Sequence, residues 1–337
     1  MTEILEEKIY DDLSPSTLSD LDILCADFPE PNWIVPGIFP EGLTIFGGKS
    51  KAGKSTLCLG LANTIASGGK FLGKIQTAPK EVLYLALEEL PRRLKPRLIK
   101  ILNGATPTGK IHFSFQWPRI DQGGLEELDS WLKDHSNVKL VIIDTLARLR
   151  GIKRLGSSIY EADYNEIASL KEIADNYSAA FIVVHHLRKA DSYDVLDLVS
   201  GSVGLTAAAD TIAILQKVSG LADSELFLSG RDIEEVELAL KFHKETKSFS
   251  ILGQAEEYRM SLERRELLEF LRKADGPLQL KDIASGLGKE KNNVSKLLNG
   301  LIKYGLAEQP AYGLYQACDE NGESGESGES LRLFSQN

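Results

Sequence analysis

The chain has 337 residues, 42% of them apolar, which is enough for one large globular domain and a smaller one. Its three cysteines, Cys25, Cys58 and Cys318, lie far apart and lack the spacing of a zinc site or a disulfide framework. This cysteine usage and an acidic start without an apolar run predict a cytoplasmic protein with no signal peptide, and no window approaches the roughly 20 apolar residues of a membrane span.

The formal net charge of −10 is concentrated at the two ends of the chain. Residues 1–30 contain nine acids and one lysine, and residues 318–337 contain five acids and one arginine. The two ends therefore carry −8 and −4, which leaves a charge of +2 for residues 31–317. Because the body of the chain is close to neutral, the overall acidity does not exclude binding to nucleic acid.

Residues 1–35 contain three prolines and no sustained periodicity, which predicts a loosely docked acidic lead-in. Between residues 36 and 253, short apolar runs alternate with segments of helical spacing, and later with further apolar runs. Nine of these runs are predicted strands: 43–46, 81–87, 111–115, 138–143, 179–184, 211–215, 225–230, 236–242 and 248–252. Helical segments between the early strands predict an α/β domain with a mostly parallel sheet, and the late strands predict an antiparallel extension.

The pattern changes after a predicted linker at residues 254–261. Residues 262–317 contain three helical segments followed by two short apolar segments on either side of Pro310. Three helices and a hairpin predict a small winged helix-turn-helix domain. The remaining residues, 318–337, include the acidic repeat ENGESGESGES, which cannot bury apolar surface and predicts a disordered tail.

A phosphate-binding motif follows the first predicted strand and opens a helix. The residues GKSKAGKS at 48–55 match the pattern G-x-x-x-x-G-K-[ST], and this strand–loop–helix context is the one that the motif requires. Backbone N–H groups of such a loop bind phosphate oxygens, Lys54 bridges the β- and γ-phosphates, and the Ser55 hydroxyl binds Mg²⁺. The motif predicts ATP and Mg²⁺ as cofactors. The predicted nucleotide-binding residues are Gly48, Lys49, Ser50, Lys51, Ala52, Gly53, Lys54, Ser55 and Thr56.

Carboxylates and histidines end three of the predicted strands. Asp144 ends the run VKLVII and is the expected second Mg²⁺ ligand. Glu88 follows the run EVLYLAL and is the candidate that orients the attacking water, with Glu89 as a rival because neighbouring strand residues face opposite ways. For the same reason only one of His185 and His186 should face the site, and it could hydrogen-bond the γ-phosphate.

In the order and spacing of these segments, residues 33–252 resemble the RecA-like ATPases, and within them the RepA-like group related to hexameric replicative helicases. The resemblance rests on five segments: EGLTIFGGKSKAGKST, LYLALEELPRRLKPRL, VIIDTLARL, FIVVHHLRKA and VSGSVGLTAAADTIAIL. It implies a RecA core assembled as a ring or filament, such as a hexamer, with ATP between subunits. It also implies that Glu88 activates water and that His186 senses the γ-phosphate.

The resemblance further implies that the loops after two of the strands line a channel for single-stranded DNA. The candidate contacts are Arg148, Arg150, Lys153 and Arg154 in the first loop, and Arg188 and Lys189 in the second. Clustered cations of this kind neutralise phosphates without reading bases, although a solvated charged face is the alternative. In the winged helix, Lys291, Asn292 and Lys296 lie on the predicted recognition helix and could contact duplex DNA.

The chain departs from the helicases where a neighbouring subunit would supply an arginine finger. The stretch AADTIAIL contains no arginine, so Arg231 is the first candidate for this catalytic role and Lys241 and Lys244 are its rivals. The leading functional prediction is an ATP-dependent DNA motor of helicase or translocase type. The alternatives are an ATP-switched DNA-binding regulator, loader or repair accessory protein without unwinding activity, and a small-molecule kinase that shares the phosphate loop.

Overall fold

The computed structural model describes residues 17–28, 30–151, 158–187, 203–218, 221–258, 262–274, 276–303 and 305–318. The chain divides into two units, Met1–Asn32 and Trp33–Asn337. In the first unit, helix α1 (Asp20–Cys25) begins at a capping box in which the backbone N–H of Asp22 donates to Ser19 Oγ and the backbone N–H of Ser19 donates to the Asp22 carboxylate. None of the residues of α1 is buried.

The second unit begins with two short hairpin strands, β1 (Trp33–Val35) and β2 (Phe39–Pro40). Ile34 and Val35 are buried in the core, so the acidic lead-in predicted for residues 1–35 ends before this strand. A second small hairpin, β4 (Lys70–Phe71) and β5 (Ile75–Gln76), follows the phosphate-loop helix. Each of these strands has only two or three residues, too few to give a periodic signal in the sequence.

All nine predicted strands are present in a nine-stranded sheet of the described residues. In chain order they are β3 (Gly42–Gly48), β6 (Glu81–Ala86), β7 (Ile111–Ser114), β8 (Val138–Asp144), β9 (Ala180–His186), β10 (Thr211–Lys217), β11 (Ser224–Gly230), β12 (Val236–His243) and β13 (Ser248–Gln254). The spatial order is β13-β12-β11-β10-β3-β9-β8-β6-β7. The six strands from β10 to β7 in this order are mutually parallel, and β11 to β13 extend the sheet antiparallel, as the sequence predicts.

Helices cover both faces of the sheet and create two apolar cores. In chain order the helices are α2 (Lys54–Ser67), α3 (Pro91–Leu102), α4 (Gly124–Asp134), α5 (Leu146–Leu149), α6 (Ile159–Asn176) and α7 (Val203–Ala208). Alternation along the strands assigns side chains to the two faces, so that Ile182 packs with the α2 core and Val183 packs with the α6 core. Helix α8 (Ala255–Tyr258) occupies part of the predicted linker, whose residues 259–261 lie outside the described residues.

The C-terminal region has the predicted winged helix-turn-helix arrangement and its own apolar core. Its elements are α9 (Leu262–Arg272), β14 (Leu278–Gln279), α10 (Leu280–Leu287), α11 (Lys291–Lys303), β15 (Ala307–Ala311) and β16 (Leu314–Ala317). The three strands form a small antiparallel sheet in the order β14-β16-β15. Apart from Cys318, the predicted disordered tail lies outside the described residues.

The described part of the chain contains no helix that is both long and apolar enough to cross a membrane.

Candidate functional site: a phosphate loop at the carboxyl edge of the sheet

The phosphate loop connects the end of β3 to the start of α2. Gly53 caps α2 with a φ of +112°, a backbone conformation that L side chains rarely adopt, and a Cβ at this position would lie 3.0 Å from the Phe249 ring. A Cβ at Gly48 would lie 2.6 Å from the carbonyl oxygen of Leu215. The two motif glycines are therefore required by the backbone path, which directs the first N–H groups of α2 toward the loop.

Lys54 lies inside this loop and is only 4% exposed. Its ammonium donates to the carbonyl oxygens of Gly48 at 2.6 Å and Lys49 at 3.1 Å, and it lies 3.2 Å from Nδ1 of His186. Burial lowers the pKa of Lys54, and the nearby carboxylates of Asp144 and Glu88 oppose that shift. A buried cation at this place suits a polyanionic ligand such as a triphosphate.

The two predicted Mg²⁺ ligands, Ser55 and Asp144, are close together. Asp144 ends β8 and is 8% exposed, and its carboxylate accepts hydrogen bonds from the Tyr84 hydroxyl at 2.9 Å and from the Ser55 side chain. Burial raises the pKa of Asp144, and these two hydrogen bonds partly offset the shift. A hydroxyl and a carboxylate are hard oxygen donors of the kind that Mg²⁺ binds, so the residues present fit this ion. No group of three or more His, Cys, Asp or Glu in the described residues could hold a metal on its own.

Glu88 and Glu89 have different partners. One oxygen of the Glu88 carboxylate accepts a hydrogen bond of 2.9 Å from Thr145 Oγ1, and the other lies 3.7 Å from Nε2 of His186. The Glu89 carboxylate is instead ion-paired with Arg97 at 2.6 Å. Glu88 is thus directed toward the residues around the phosphate loop, which favours it over Glu89 as the group that orients water.

His185 and His186 point to opposite faces of the sheet. His186 pairs with Gly48 across the parallel strands, and its imidazole contacts Lys54. Because an ammonium can only donate, Nδ1 accepts and Nε2 can carry the proton toward Glu88. His185 lies on the other face, where burial and the nearby Arg150 guanidinium lower its pKa to about 4. Of the two, only His186 is placed to respond to a phosphate.

The predicted DNA-contact residues of the first loop have different environments in the structure. Arg148 on α5 is exposed, as a phosphate contact requires. Arg150 is 18% exposed, and its guanidinium is ion-paired at 2.9 Å with both Asp163 and Glu166 of α6, at angles outside hydrogen-bond geometry. This arrangement argues against a DNA contact by Arg150 and gives it a structural role. The other predicted loop contacts lie outside the described residues: Lys153, Arg154, Arg188 and Lys189.

Arg231 lies at the edge of the sheet opposite the phosphate loop. It follows Gly230, which pairs with Thr211 at the amino end of β10, and its guanidinium lies 3.8 Å from the Asp210 carboxylate. Its rivals Lys241 and Lys244 lie at the end of β12, on the same edge as the phosphate loop. Arg231 therefore cannot reach the loop of its own subunit, and a trans-acting role remains a prediction for all three residues.

The predicted recognition helix of the winged domain is α11. Val294, Leu298 and Leu301 are buried in the core of this domain, so the opposite face of the helix is free to contact a partner. The predicted contacts Lys291, Asn292 and Lys296 are all exposed, and of these Asn292 and Lys296 lie on that opposite face. Lys289, just before the helix, is ion-paired with Glu266 at 3.0 Å and is therefore a weaker candidate.

Sequence reasoning missed Tyr84, Thr145 and Arg97 as members of the site. Tyr84 is fully enclosed, and burial with the neighbouring Asp144 raises its pKa well above the usual value, so its hydroxyl stays protonated and donates. Strand alternation could have indicated it, because Tyr84 faces the same side of β6 as Val82 and Ala86, the side that packs against α2. Thr145 contacts Glu88 across 57 positions and Arg97 contacts Glu89 across eight, and periodicity reveals neither side-chain contact.

Comparisons with known proteins agree with this geometry. A family model described as an AAA domain matches residues 11–192, more than half of the chain, and one described as an IclR helix-turn-helix domain matches residues 266–311. No curated protein is significantly similar to the chain.

Among solved structures, the ATPase domain of G40P is 16% identical with a TM-score of 0.50, over 63% of this chain and 85% of that one. A DnaB-like replicative helicase, described with its interactions with primase, is 16% identical with a TM-score of 0.48, over 62% of this chain and 57% of that one. The RadB recombinase is 18% identical with a TM-score of 0.45, over 64% of this chain and 92% of that one. At these identities the likeness to G40P concerns the fold, and the two lower scores add nothing to it. The RecA-like core and the C-terminal winged helix are confirmed.

Proposed function

Because the chain belongs to the AAA-domain family whose model spans residues 11–192, we propose that it is an ATP-dependent DNA-binding motor of RepA-like helicase or translocase type. The observation that carries the proposal is the convergence of four groups beside one phosphate loop. These are a buried lysine, a carboxylate–hydroxyl pair, a second carboxylate and a histidine, contributed by Lys54, Asp144 with Ser55, Glu88 and His186.

Each group has a distinct task in hydrolysis of the β–γ phosphoanhydride. Bound Mg²⁺, held by Ser55 and Asp144, would supply charge compensation to the phosphate oxygens. Lys54 places its positive charge at the centre of the loop, where it would stabilise the negative charge that develops as the β–γ phosphoanhydride breaks and ADP leaves. Glu88, fixed by the Thr145 hydroxyl, orients a water molecule and accepts its proton. His186 lies between Lys54 and Glu88 and so contacts both the phosphate-binding and the water-orienting groups.

The DNA part of the proposal is supported by where the basic residues lie. Arg148 follows Asp144 by four positions, and the second basic loop begins beside His186, so both loops begin at strand ends that carry site residues. A change in phosphate occupancy at these strand ends can therefore shift both loops. The helix-turn-helix match supports contact with duplex DNA through α11.

A second function, an ATP-switched DNA-binding regulator or loader, is favoured by one observation. The stretch AADTIAIL, where a finger is expected, contains no arginine, and Arg231, the first candidate to replace it, lies at the edge away from the phosphate loop of its own chain. A chain that lacks an efficient finger would hydrolyse ATP slowly and act by changing state, without translocation. Strand displacement separates the two functions, because a switch binds DNA and does not unwind it.

Steady-state ATP hydrolysis tests the proposal, measured without DNA, with single-stranded DNA and with duplex DNA. We expect stimulation by single strands, and loss of hydrolysis in Lys54→Ala under all three conditions. Stimulation by duplex alone would favour the switch or loader. Lysine-dependent hydrolysis that is indifferent to both kinds of DNA would contradict the DNA-directed function, and hydrolysis that survives Lys54→Ala would contradict the site itself.

A further inference from the structure

Two tyrosines lie side by side on the exposed surface of the first two turns of α6. Tyr160 and Tyr164 are four positions apart, so their side chains project from the same side of the helix. Their ring centroids are 6.2 Å apart with planes inclined by only 22°, and the residues are 47% and 40% exposed. The two rings, called the tyrosine pair below, are thus stacked on each other and open to a ligand.

The tyrosine pair lies at the same edge of the sheet as the phosphate loop. Helix α6 connects the carboxyl end of β8, which Asp144 terminates, to the amino end of β9. Its last turn lies at the amino edge, where the backbone N–H of Ala179 donates to the carbonyl oxygen of Ala174 and that of Gly42 donates to the carbonyl oxygen of Ala179. Because a helix of 18 residues is about 27 Å long, its first turns lie at the opposite, carboxyl edge.

The backbone that carries the tyrosine pair is fixed by its neighbours. A Cβ on Gly204, in α7, would overlap the carbonyl oxygen of Tyr160 and lie 3.1 Å from the backbone nitrogen of Tyr164, so α7 packs directly against this part of α6. Asp163, between the two tyrosines, is 2% exposed and ion-paired at 2.9 Å with Arg150 of the segment after β8. This turn of the helix is therefore ordered before any ligand binds, which lowers the entropy cost of binding.

The chain enters α6 and α7 directly from the two predicted basic loops. After the first loop the described chain resumes at Ser158, which precedes α6, and after the second it resumes at Val203, which opens α7. Because Gly204 packs on the turn that carries the tyrosine pair, these two points lie close to each other and to the rings. The pair itself contains no charge, so it offers a contact of a different kind from the phosphate contacts of arginine and lysine.

We infer that the tyrosine pair is a stacking site for an unpaired base of single-stranded DNA, an inference that rests on the proposed DNA-directed function. A base on the outer face of the pair continues the stack that Tyr160 and Tyr164 already make, and every base has such a ring face. The bases of a duplex are stacked on and paired with each other, so they are not free to bind in this way. Basic residues neutralise the phosphates of either form, and the pair adds a preference for single strands.

Replacing the rings tests the inference, with binding measured by fluorescence anisotropy on the full-length chain in the presence of Mg²⁺ and a non-hydrolysable ATP analogue. The probes are a labelled oligothymidine and an abasic strand of the same length, which share the phosphates and differ in the bases. We expect the unmodified chain to bind oligothymidine at least about tenfold more tightly than the abasic strand. In the double variant Tyr160→Leu with Tyr164→Leu this preference should fall below about threefold, with binding to the abasic strand and its salt dependence unchanged.

The matched control is Tyr160→Phe with Tyr164→Phe, because it keeps both rings and removes only the hydroxyls. Its preference for oligothymidine should stay within about threefold of that of the unmodified chain. A phenylalanine variant that loses the preference would overturn the inference, since the hydroxyls and not the rings would then make the contact. The two single leucine variants keep the test decisive if the double variant does not fold, and each should lose part of the preference.

Oligothymidine binding that is unchanged in the folded leucine variants would overturn the inference alone, as would equal binding of both strands by the unmodified chain. Equal weakening of both strands in the leucine variants would also overturn it, and light scattering would then show whether the pair instead packs against a second copy of the chain. If the unmodified chain binds neither strand, the proposed DNA-directed function fails and the inference fails with it.

Discussion

At the scale of single residues, consecutive side chains at the site have different partners and so different roles. Glu88 and Glu89 are consecutive, yet Thr145 holds the first and Arg97 holds the second. The pair therefore allows a matched comparison, in which the same carboxylate-to-amide change is made at the proposed catalytic position and at its neighbour.

Glu88→Gln should lower kcat by about 10²- to 10⁴-fold, because an amide cannot accept the proton of the attacking water. ATP binding should persist, since Lys54 and the loop are unaltered. Glu89→Gln weakens only an ion pair with Arg97 and should keep kcat within about threefold. Single-turnover hydrolysis and ATP titration measure the two quantities. The opposite ranking would transfer the water-orienting role to Glu89.

Which residues of the site could be predicted from the sequence depends on how local their signal is. Lys54, Ser55 and Asp144 come from a contiguous motif and from the end of an apolar strand, and strand alternation restricts the choice between His185 and His186. Tyr84 and Thr145 are different, because each contacts the site through tertiary packing between elements distant in sequence. No spacing rule reports that kind of contact.

At the scale of elements, the segment after β8 joins the site to the opposite face of the sheet. Arg150 ends the short helix α5, and its guanidinium meets Asp163 and Glu166, which lie on consecutive turns of α6. Asp163 is 2% exposed, so much of the charge in this cluster is removed from water. Arg148, two residues earlier, is exposed, so the same short segment contains a buried and a solvated arginine.

Arg150→Met should lower the free energy of unfolding by about 3–5 kcal/mol, because it removes the cation facing two carboxylates and leaves the Asp163 charge buried without it. Arg148→Met should change the free energy of unfolding by less than about 0.5 kcal/mol and should weaken binding to single-stranded DNA. Urea denaturation and DNA titration check both variants. If the Arg150→Met chain is as stable as the unmodified chain but no longer binds DNA, Arg150 is a DNA contact and its structural role is wrong.

The long strands and helices were predictable because each carries several turns or alternations of apolar residues. The hairpins β1–β2 and β4–β5 were not, because strands of two or three residues have no measurable period. Because the β4–β5 hairpin is not predicted, a feature of the surface beside it is not predicted either. The β4–β5 hairpin lines a cavity on the outward face of α2, together with Gly60, Ile101 and Phe249, and this cavity could not be anticipated from the elements that the sequence predicts.

At the scale of the whole molecule, the ends of the chain differ in net charge from the residues between them. The two ends together carry −12, and the residues between them carry +2. Acidic segments attached to a DNA-binding protein can compete with DNA phosphates for basic residues at low ionic strength, where charges act over about 10 Å or more. The overall acidity would then regulate DNA binding without preventing it.

Removing residues 1–30 and 318–337 should tighten DNA binding roughly three- to tenfold at about 50 mM salt, with the difference fading by about 0.5 M. Fluorescence anisotropy with a labelled single strand over a salt series measures the effect. A full-length variant with the acids of both ends changed to Gln and Asn is the control for chain length. If that variant binds DNA as weakly as the unmodified chain, charge competition is not the cause.

Strand β9 imposes a constraint on how this protein can vary over evolution. It is paired on both sides, by β3 and β8, and it carries His186 on the nucleotide face and His185 on the face of the Arg150 cluster. Insertion or deletion of one residue within it would exchange the two histidines between the faces. Descendants of this sequence can therefore replace either histidine separately, whereas a change in the length of this strand would alter the nucleotide site and the ionic cluster in a single event.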